Sequence, residues 1–247
     1  MRFFIKFSYD GTNYHGWQIQ PNANSVQEEI NKALSTILNT NIKVVGAGRT
    51  DAGVHADQMY AHFDFDAEIS FLEITNRLNS FLSDDIAVNK IFRVYDKASS
   101  RFDALSRTYR YKIIKTKNPF HRHAYLFKKD LNLDMMNLAC LPLIGKRDFT
   151  SFSKVKTQTY TNDCTVIDAK WEEINNEIIF TIKADRFLRN MVRAIVGTLI
   201  EVGIGKIKPD KVVEIINARD RCRSGVSVPA HALSLIKVTY PENIKIN

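Results

Sequence analysis

Two stretches of strict alternation limit what this chain can become. Phe3, Ile5, Phe7 and Tyr9 fall on one face of Arg2–Tyr9, and Tyr109, Tyr111 and Ile113 fall on one face of a later segment. Apolar residues at every second position mark strands, because successive side chains of an extended chain point to opposite faces. Each stretch opens a similar order of patterns. After the first, Asp10-Gly11 turns the chain, Ser25-Val26-Gln27-Glu28 has the spacing of a helix N-terminal capping box, and Val26, Ile30, Leu34, Ile37 and Leu38 recur at helical spacing. Residues 42–45 and 58–65 read as strands, 71–78 as a helix and 86–94 as a strand. After the second, which begins near Ser106, residues 133–143 read as a helix, and 165–171 and 177–182 as a strand pair joined by Asn175-Asn176. A long apolar helix over 187–202 is stopped by Gly203 and Gly205, Pro209 suits the first turn of a short helix ending near Ala218, and 233–238 is a closing strand. Both halves thus run strand, helix, strand, strand, helix. The expected class is α+β with mostly antiparallel sheet. It has two similar subdomains, 1–105 and 106–247, with helices packed on the sheet and a basic cleft between them.

The chain's 247 residues are enough for a sizeable core, and 45% hydrophobic with 25% charged residues is the balance of a soluble globular protein. No apolar run approaches the roughly 20 residues that a membrane-spanning helix needs. The opening MRFFIKFSYDG lacks the unbroken apolar stretch of a secretory signal. Cys140, Cys164 and Cys222 are widely spaced and odd in number, which argues against a disulfide framework or a zinc site, so the cytoplasm is the expected compartment. His121 and His123 are close in sequence, but no third ligand follows at metal-site spacing, and no metal is expected. Lys and Arg exceed Asp and Glu by 35 − 27 = 8, and the sequence pI is near 9.3. Such an excess suits a polyanion, whose neutralised phosphates release counterions.

The most informative segment is Gly46-Ala47-Gly48-Arg49-Thr50-Asp51-Ala52-Gly53-Val54-His55-Ala56, set between two expected strands. Three glycines in eight residues let the backbone turn and let another chain approach. A carboxylate two residues from an arginine stays ionised, so Asp51 can serve as nucleophile or base at neutral pH. On spacing alone the same loop is more often a surface turn carrying an ion pair of little energetic weight, about 0–1 kcal/mol. His55 could be a ligand or a general base, but such a histidine more often simply hydrogen-bonds the loop.

Further along, runs fall in a definite order: Tyr9-Asp10-Gly11, Tyr14-His15-Gly16-Trp17-Gln18, Gly48-Arg49-Thr50-Asp51-Ala52-Gly53-Val54-His55-Ala56, Asp85-Ile86-Ala87-Val88, and Ser99-Ser100-Arg101-Phe102-Asp103-Ala104. Arg107-Thr108-Tyr109-Arg110-Tyr111, Asp148-Phe149-Thr150-Ser151-Phe152, Asn190-Met191-Val192-Arg193-Ala194-Ile195-Val196-Gly197 and Pro229-Ala230-His231-Ala232-Leu233 follow. In content and order these resemble the motifs of the TruA family, bacterial tRNA pseudouridine synthase I, over essentially the whole chain. Ser83 and Ala232 depart from it, standing where the family usually has Pro and Gly.

The resemblance implies the pseudouridine synthase fold and a cofactor-free isomerase. It implies Asp51 as the catalytic aspartate and Tyr109 as the active-site tyrosine, able to stack on uracil. It implies that Arg193, on the long helix, reaches the cleft and pairs with Asp51, and that Arg49 contacts RNA near the target or holds the flipped base out of the stack. It implies as partner the anticodon stem-loop of tRNA, modified at nucleotides 38, 39 and 40, and action as a homodimer. By composition, Lys115, Lys117, Arg122, Lys128 and Lys129 interleaved with Phe120, Tyr125 and Phe127 suit RNA, although a charge run alone is more often a solvated surface. Three rivals remain open at this level: an RNA-binding protein without chemistry, a hydrolase using Asp51 on a sugar or nucleoside, and a related synthase with another RNA target.

Overall fold

The computed structural model describes residues 1–154 and 160–246. Its elements, in order, are β1 (Arg2–Tyr9), α1 (Val26–Leu38), β2 (Val45–Gly46), β3 (His55–Asp64), α2 (Phe71–Phe81), β4 (Ile86–Val94), β5 (Ser106–Ile114), β6 (Tyr125–Leu126), α3 (Leu133–Cys140), β7 (Gly145–Asp148), β8 (Asp163–Ile174), β9 (Glu177–Ala184), α4 (Met191–Gly203), α5 (Lys211–Ala218) and β10 (Leu233–Thr239). The α+β class is as the periodicities require. The chain forms two compact units, Met1–Leu105 with Leu235–Asn247, and Ser106–Ser234. The 106–247 division expected from sequence leaves the closing segment with the second half; in the structure that segment packs with the first.

In the first unit the strand order is β4-β1-β3-β10, with β2 on β3. β1 lies antiparallel to both neighbours, Phe7 facing Met59 of β3 and Val88 of β4. Its odd-numbered face is buried as the alternation predicts, but Phe4 on the other face is buried too. The reason lies at the far end of the chain: Ile244 joins Phe4, Phe92, Val94 and Ala98 in a second apolar cluster, with Tyr60 and Tyr240 against it. Alternation within one segment cannot reveal a cover supplied from 240 residues away.

α1 starts where the capping box places it, the Ser25 hydroxyl accepting from Glu28 N at 3.3 Å. Of the strand expected over 42–45, only Val45 is in β2; residues 42–44 are not. Their backbone groups are taken by side chains of α1 instead: Ser35 Oγ accepts from Ile42 N at 2.9 Å, Asn31 Oδ1 accepts from Val44 N at 2.8 Å, and Gln27 donates to the Val44 carbonyl at 2.9 Å. A backbone group satisfied by a helix side chain has no need of a strand partner. The same device recurs with two bonds from one amide. Asn79 of α2 brackets Val88 of β4 (2.9 and 2.7 Å), and in the second unit Asn137 of α3 brackets Trp171 of β8 (3.0 and 2.8 Å).

In the second unit the order is β5-β9-β8-β7, all antiparallel, with β6 parallel to β5. Asn175 and Asn176, at φ 50° and 65°, make the hairpin turn between β8 and β9; both conformations are left-handed, which asparagine tolerates. The expected helix 133–143 ends as α3 at Cys140 and tightens into a 3-10 turn over Leu141–Leu143, where Pro142 removes a donor. The expected helix 187–202 begins only at Met191, because Asn190 is left-handed (φ 67°) and cannot propagate it. α4 is buried nearly all round rather than along one face; Arg193 and Glu201 are its two positions that keep partial exposure.

Candidate active site

The site is best built outward from the buried face of β1. Phe7 stacks on Tyr9 (centroids 6.1 Å) and on Trp17 (5.6 Å), so the aromatic row of the strand runs on into the loop that follows it. At the end of that row the Tyr9 hydroxyl meets Thr50 Oγ1 at 2.8 Å, in the interior. The Thr50 carbonyl accepts from Trp17 N at 3.2 Å, and Gly53 N donates to the Tyr14 carbonyl at 3.3 Å. Val54 N closes a turn on the Asp51 carbonyl at 3.2 Å, with Gly53 at φ 75° supplying the positive dihedral at the turn's third position.

Close approach explains the glycines around it. A Cβ on Gly11 would lie 2.1 Å from the Val54 carbonyl oxygen, one on Gly16 would lie 2.5 Å from the Thr50 carbonyl oxygen, and one on Gly46 would strike the Trp17 ring at 2.5 Å. The 10–17 loop and the 46–55 loop are thus pressed backbone to backbone. The consequence is a graded exposure of three consecutive residues. Arg49 is exposed and has no hydrogen bond or ion pair among the described residues; Thr50 is buried as the anchor; Asp51 is half-buried. A pinned backbone therefore presents a carboxylate with an uncommitted guanidinium two residues away. Gly48 is different: an added Cβ there meets nothing within 4 Å.

His55 lies at the start of β3, 3% exposed, with Nδ1 3.0 Å from Gly11 N and 2.9 Å from Asp10 Oδ1. The two contacts compete for one nitrogen: the neutral lone pair accepts from the Gly11 amide, whereas a proton on Nδ1 donates to the carboxylate. Either way His55 braces the two loops against each other, which favours its hydrogen-bonding reading. Ser83, where the resemblance expects proline, places its hydroxyl 3.2 Å from the Tyr14 hydroxyl, a contact proline could not make.

Tyr109 and Arg193 belong to the second unit. Tyr109, on β5, is 9% exposed and meets the Phe187 ring edge-on at 5.1 Å. Its strand neighbour Tyr111 is fully buried, donates to the Pro229 carbonyl at 3.1 Å, and has its hydroxyl pKa pushed well up by burial. Arg193 is half-buried, Nε donating to the Val228 carbonyl at 2.7 Å. That bond is one of several that seat the 224–229 segment on α4. Asn190 donates to Ser227 Oγ at 2.5 Å, Gly225 N donates to Thr198 Oγ1 at 2.8 Å, and Arg221 reaches Ser224, Gly225 and Ser227. Gly197 lets the segment in, for a Cβ there would lie 1.8 Å from the Val226 carbonyl oxygen. The motif from Asn190 to Gly197 therefore works as a seat for a loop, which its sequence pattern alone does not reveal.

Gly197→Ala gains about 1 kcal/mol of helix propensity but must displace the 224–229 backbone. The net expectation is a loss of about 2 kcal/mol, read as a lower midpoint in urea unfolding. A midpoint at or above that of the wild type would mean the segment is not held as described.

The cysteines do not supply a rival nucleophile in the interior. Burial pushes the Cys140 and Cys164 thiols up to about 12, far from the thiolate that nucleophilic attack needs.

With this geometry in place, comparison with known proteins gives the class. A family model described as tRNA pseudouridine synthase matches residues 6–103 and 139–241, which includes Asp51 and Arg193 and leaves Tyr109 between the matched stretches. A protein of Parabacteroides distasonis named tRNA pseudouridine synthase A is 51% identical over 245 residues, covering 98% of this chain and 97% of its own length. Proteins of the same name from Bacteroides thetaiotaomicron and Bacillus subtilis are 50% and 41% identical, covering 98% and 97% of this chain and 92% and 99% of their own lengths. The chain belongs to the tRNA pseudouridine synthase family, whose members are isomerases that turn uridine in tRNA into pseudouridine.

Proposed function

We propose that this chain converts uridine to pseudouridine at nucleotides 38, 39 and 40 of the tRNA anticodon stem-loop, with Asp51 as the catalytic carboxylate and no cofactor. The observation that carries the reading is the pinned 46–55 loop, which holds a half-buried Asp51 two residues from an exposed Arg49. The reaction breaks the bond between ribose C1′ and uracil N1, turns the base, and joins C1′ to C5. The C5 hydrogen leaves as a proton and N1 regains one, so nothing is added or lost overall. A single well-placed carboxylate is a sufficient minimum for this, since the base is retained and no second acid is needed to release it to water.

Arg49 has the reach and freedom to bind RNA phosphate, or to occupy the gap left when the target base leaves the stack. Tyr109 and Arg193 are assigned to substrate binding by the motifs in which they stand. The net charge of +8 supports a polyanionic partner. Action as a homodimer in the cytoplasm completes the reading. No helix among the described residues is long and apolar enough to cross a membrane.

The test uses unmodified tRNA carrying tritium at C5 of uracil. The wild type is expected to release tritium to water, and carbodiimide-blocked primer extension is expected to stop in the anticodon stem-loop. Binding without release would favour an RNA-binding protein that lacks chemistry. Stops elsewhere would favour a synthase with a different target.

A further inference from the structure

The segment from Lys115 to Lys129 carries Lys117, Arg122, Lys128 and Lys129 on exposed positions, with Lys115 paired to Asp130 at 3.0 Å, and lies outside the stretches the family model matches. At its tip Phe120 is 92% exposed. A lone exposed phenylalanine is ordinary on a protein surface. This one is held out by a built loop. Asn118 Oδ1 accepts from Phe120 N at 2.9 Å, the Asn118 carbonyl accepts from His121 N at 3.1 Å, and Arg122 Nε donates to the Pro119 carbonyl at 3.3 Å. Ala124 N then donates to the His121 carbonyl at 3.2 Å, Ala124 is buried, and Tyr125–Leu126 docks as β6 alongside β5. A hydrogen bond ties the loop to the sheet: His121 Nδ1 lies 2.5 Å from Glu177 Oε1, and the other oxygen of Glu177 faces Lys112 at 3.8 Å. The ring is thus presented on a fixed turn, flanked in sequence by Lys117 and Arg122.

We propose that this loop is an RNA contact: the Phe120 ring stacks on an unpaired base of the tRNA, while Lys117 and Arg122 take the phosphates on either side. Every base has a π face, so an aromatic platform between cations binds single-stranded nucleic acid with little regard to sequence. A second copy of the chain is the poorer occupant, because two such cationic loops repel each other. The proposal rests on the reading of the chain as an enzyme acting on tRNA.

The experiment compares Phe120→Ala, Phe120→Trp and Phe120→Leu, with unmodified tRNA as probe. The exposure of the ring leaves the fold indifferent to all three. Phe120→Ala is expected to raise both the Kd for tRNA and KM about tenfold with kcat unchanged, the size typical of one lost base stack. Phe120→Trp should bind as the wild type does. Phe120→Leu should behave like Phe120→Ala, since leucine keeps apolar surface but offers no π face. In parallel, Arg122→Gln should lower the slope of log K against log salt by about 1, as loss of one phosphate contact does. Wild-type affinity in Phe120→Ala would overturn the proposal. So would wild-type affinity in Phe120→Leu, or a change of mass on sedimentation, which would identify a protein contact instead. Failure of the wild type itself to release tritium would strike the parent reading, and is distinguished by being independent of Phe120.

Discussion

Asp51→Asn is expected to lower the rate of tritium release about 10⁴-fold or more, the scale of loss when the central group of a catalytic site is removed. It should do so with little effect on folding. The Asp51 carbonyl, the Thr50 side chain and the close-packed glycines all hold the 46–55 loop, and asparagine keeps the shape of the side chain it replaces. The thermal midpoint should stay within a few degrees, and the Kd for tRNA within a few-fold. Asp51→Glu is the sharper companion. It restores the charge but moves the carboxylate outward by about the length of one methylene, and a misplacement of roughly 1 Å can cost about 10²-fold. The expected order of rates is therefore wild type, then Asp51→Glu, then Asp51→Asn. If Asp51→Asn kept more than about a tenth of the wild-type rate, the carboxylate would not be the catalytic group, and the chemistry would have to be sought elsewhere.

Much of the scaffold for this carboxylate was legible in the sequence, and the part that was not has physical causes. Elements whose signal is local were readable: β1 from its alternation, α1 from its capping box, the Asn175-Asn176 hairpin from the tolerance of asparagine for left-handed backbone. Elements decided by a partner were not. Residues 42–44 carry the β-branched residues Ile42 and Val44 expected of a strand, yet Ser35 and Asn31 of α1 take their amides. Phe4 is covered by Ile244, and the helix expected from Phe187 waits for Met191 because one asparagine is left-handed. The site divides the same way. The 46–56 loop alone favoured an ordinary turn over a catalytic Asp51, and only the ordered series of motifs pointed to chemistry. Nothing in the pattern singled out Thr50 as the anchor, Tyr9 as its partner, or Gly11 and Gly16 as the points of contact. A glycine in a sequence says that a side chain is missing, not what has come to lie in its place.

That distinction makes the glycines of the site the second strong test. Gly16→Ala should cost about 3 kcal/mol or more, from two sources. Gly16 sits at φ 96°, a conformation that a side chain strains by about 1–3 kcal/mol. In addition, its new Cβ would lie 2.5 Å from the Thr50 carbonyl oxygen and 3.1 Å from the Asp51 carbonyl carbon. Because the clash falls on the backbone that carries Asp51, the loop must shift even where the protein stays folded. The rate should then drop about 10²-fold or more at a temperature well below unfolding, without any loss of a group that touches RNA. Gly48→Ala is the control within the same loop. Its Cβ would enter open space, so stability should hold or rise by about 0.4–1 kcal/mol through a less flexible unfolded chain. A fall in activity for Gly48→Ala would then report on the substrate, whose backbone or base must approach where the protein itself leaves room. Urea midpoints and tritium-release rates for the two variants decide the matter together. A stable, fully active Gly16→Ala would mean that the 10–17 loop does not set the position of Asp51, and the account of how the fold holds its carboxylate would fail with it.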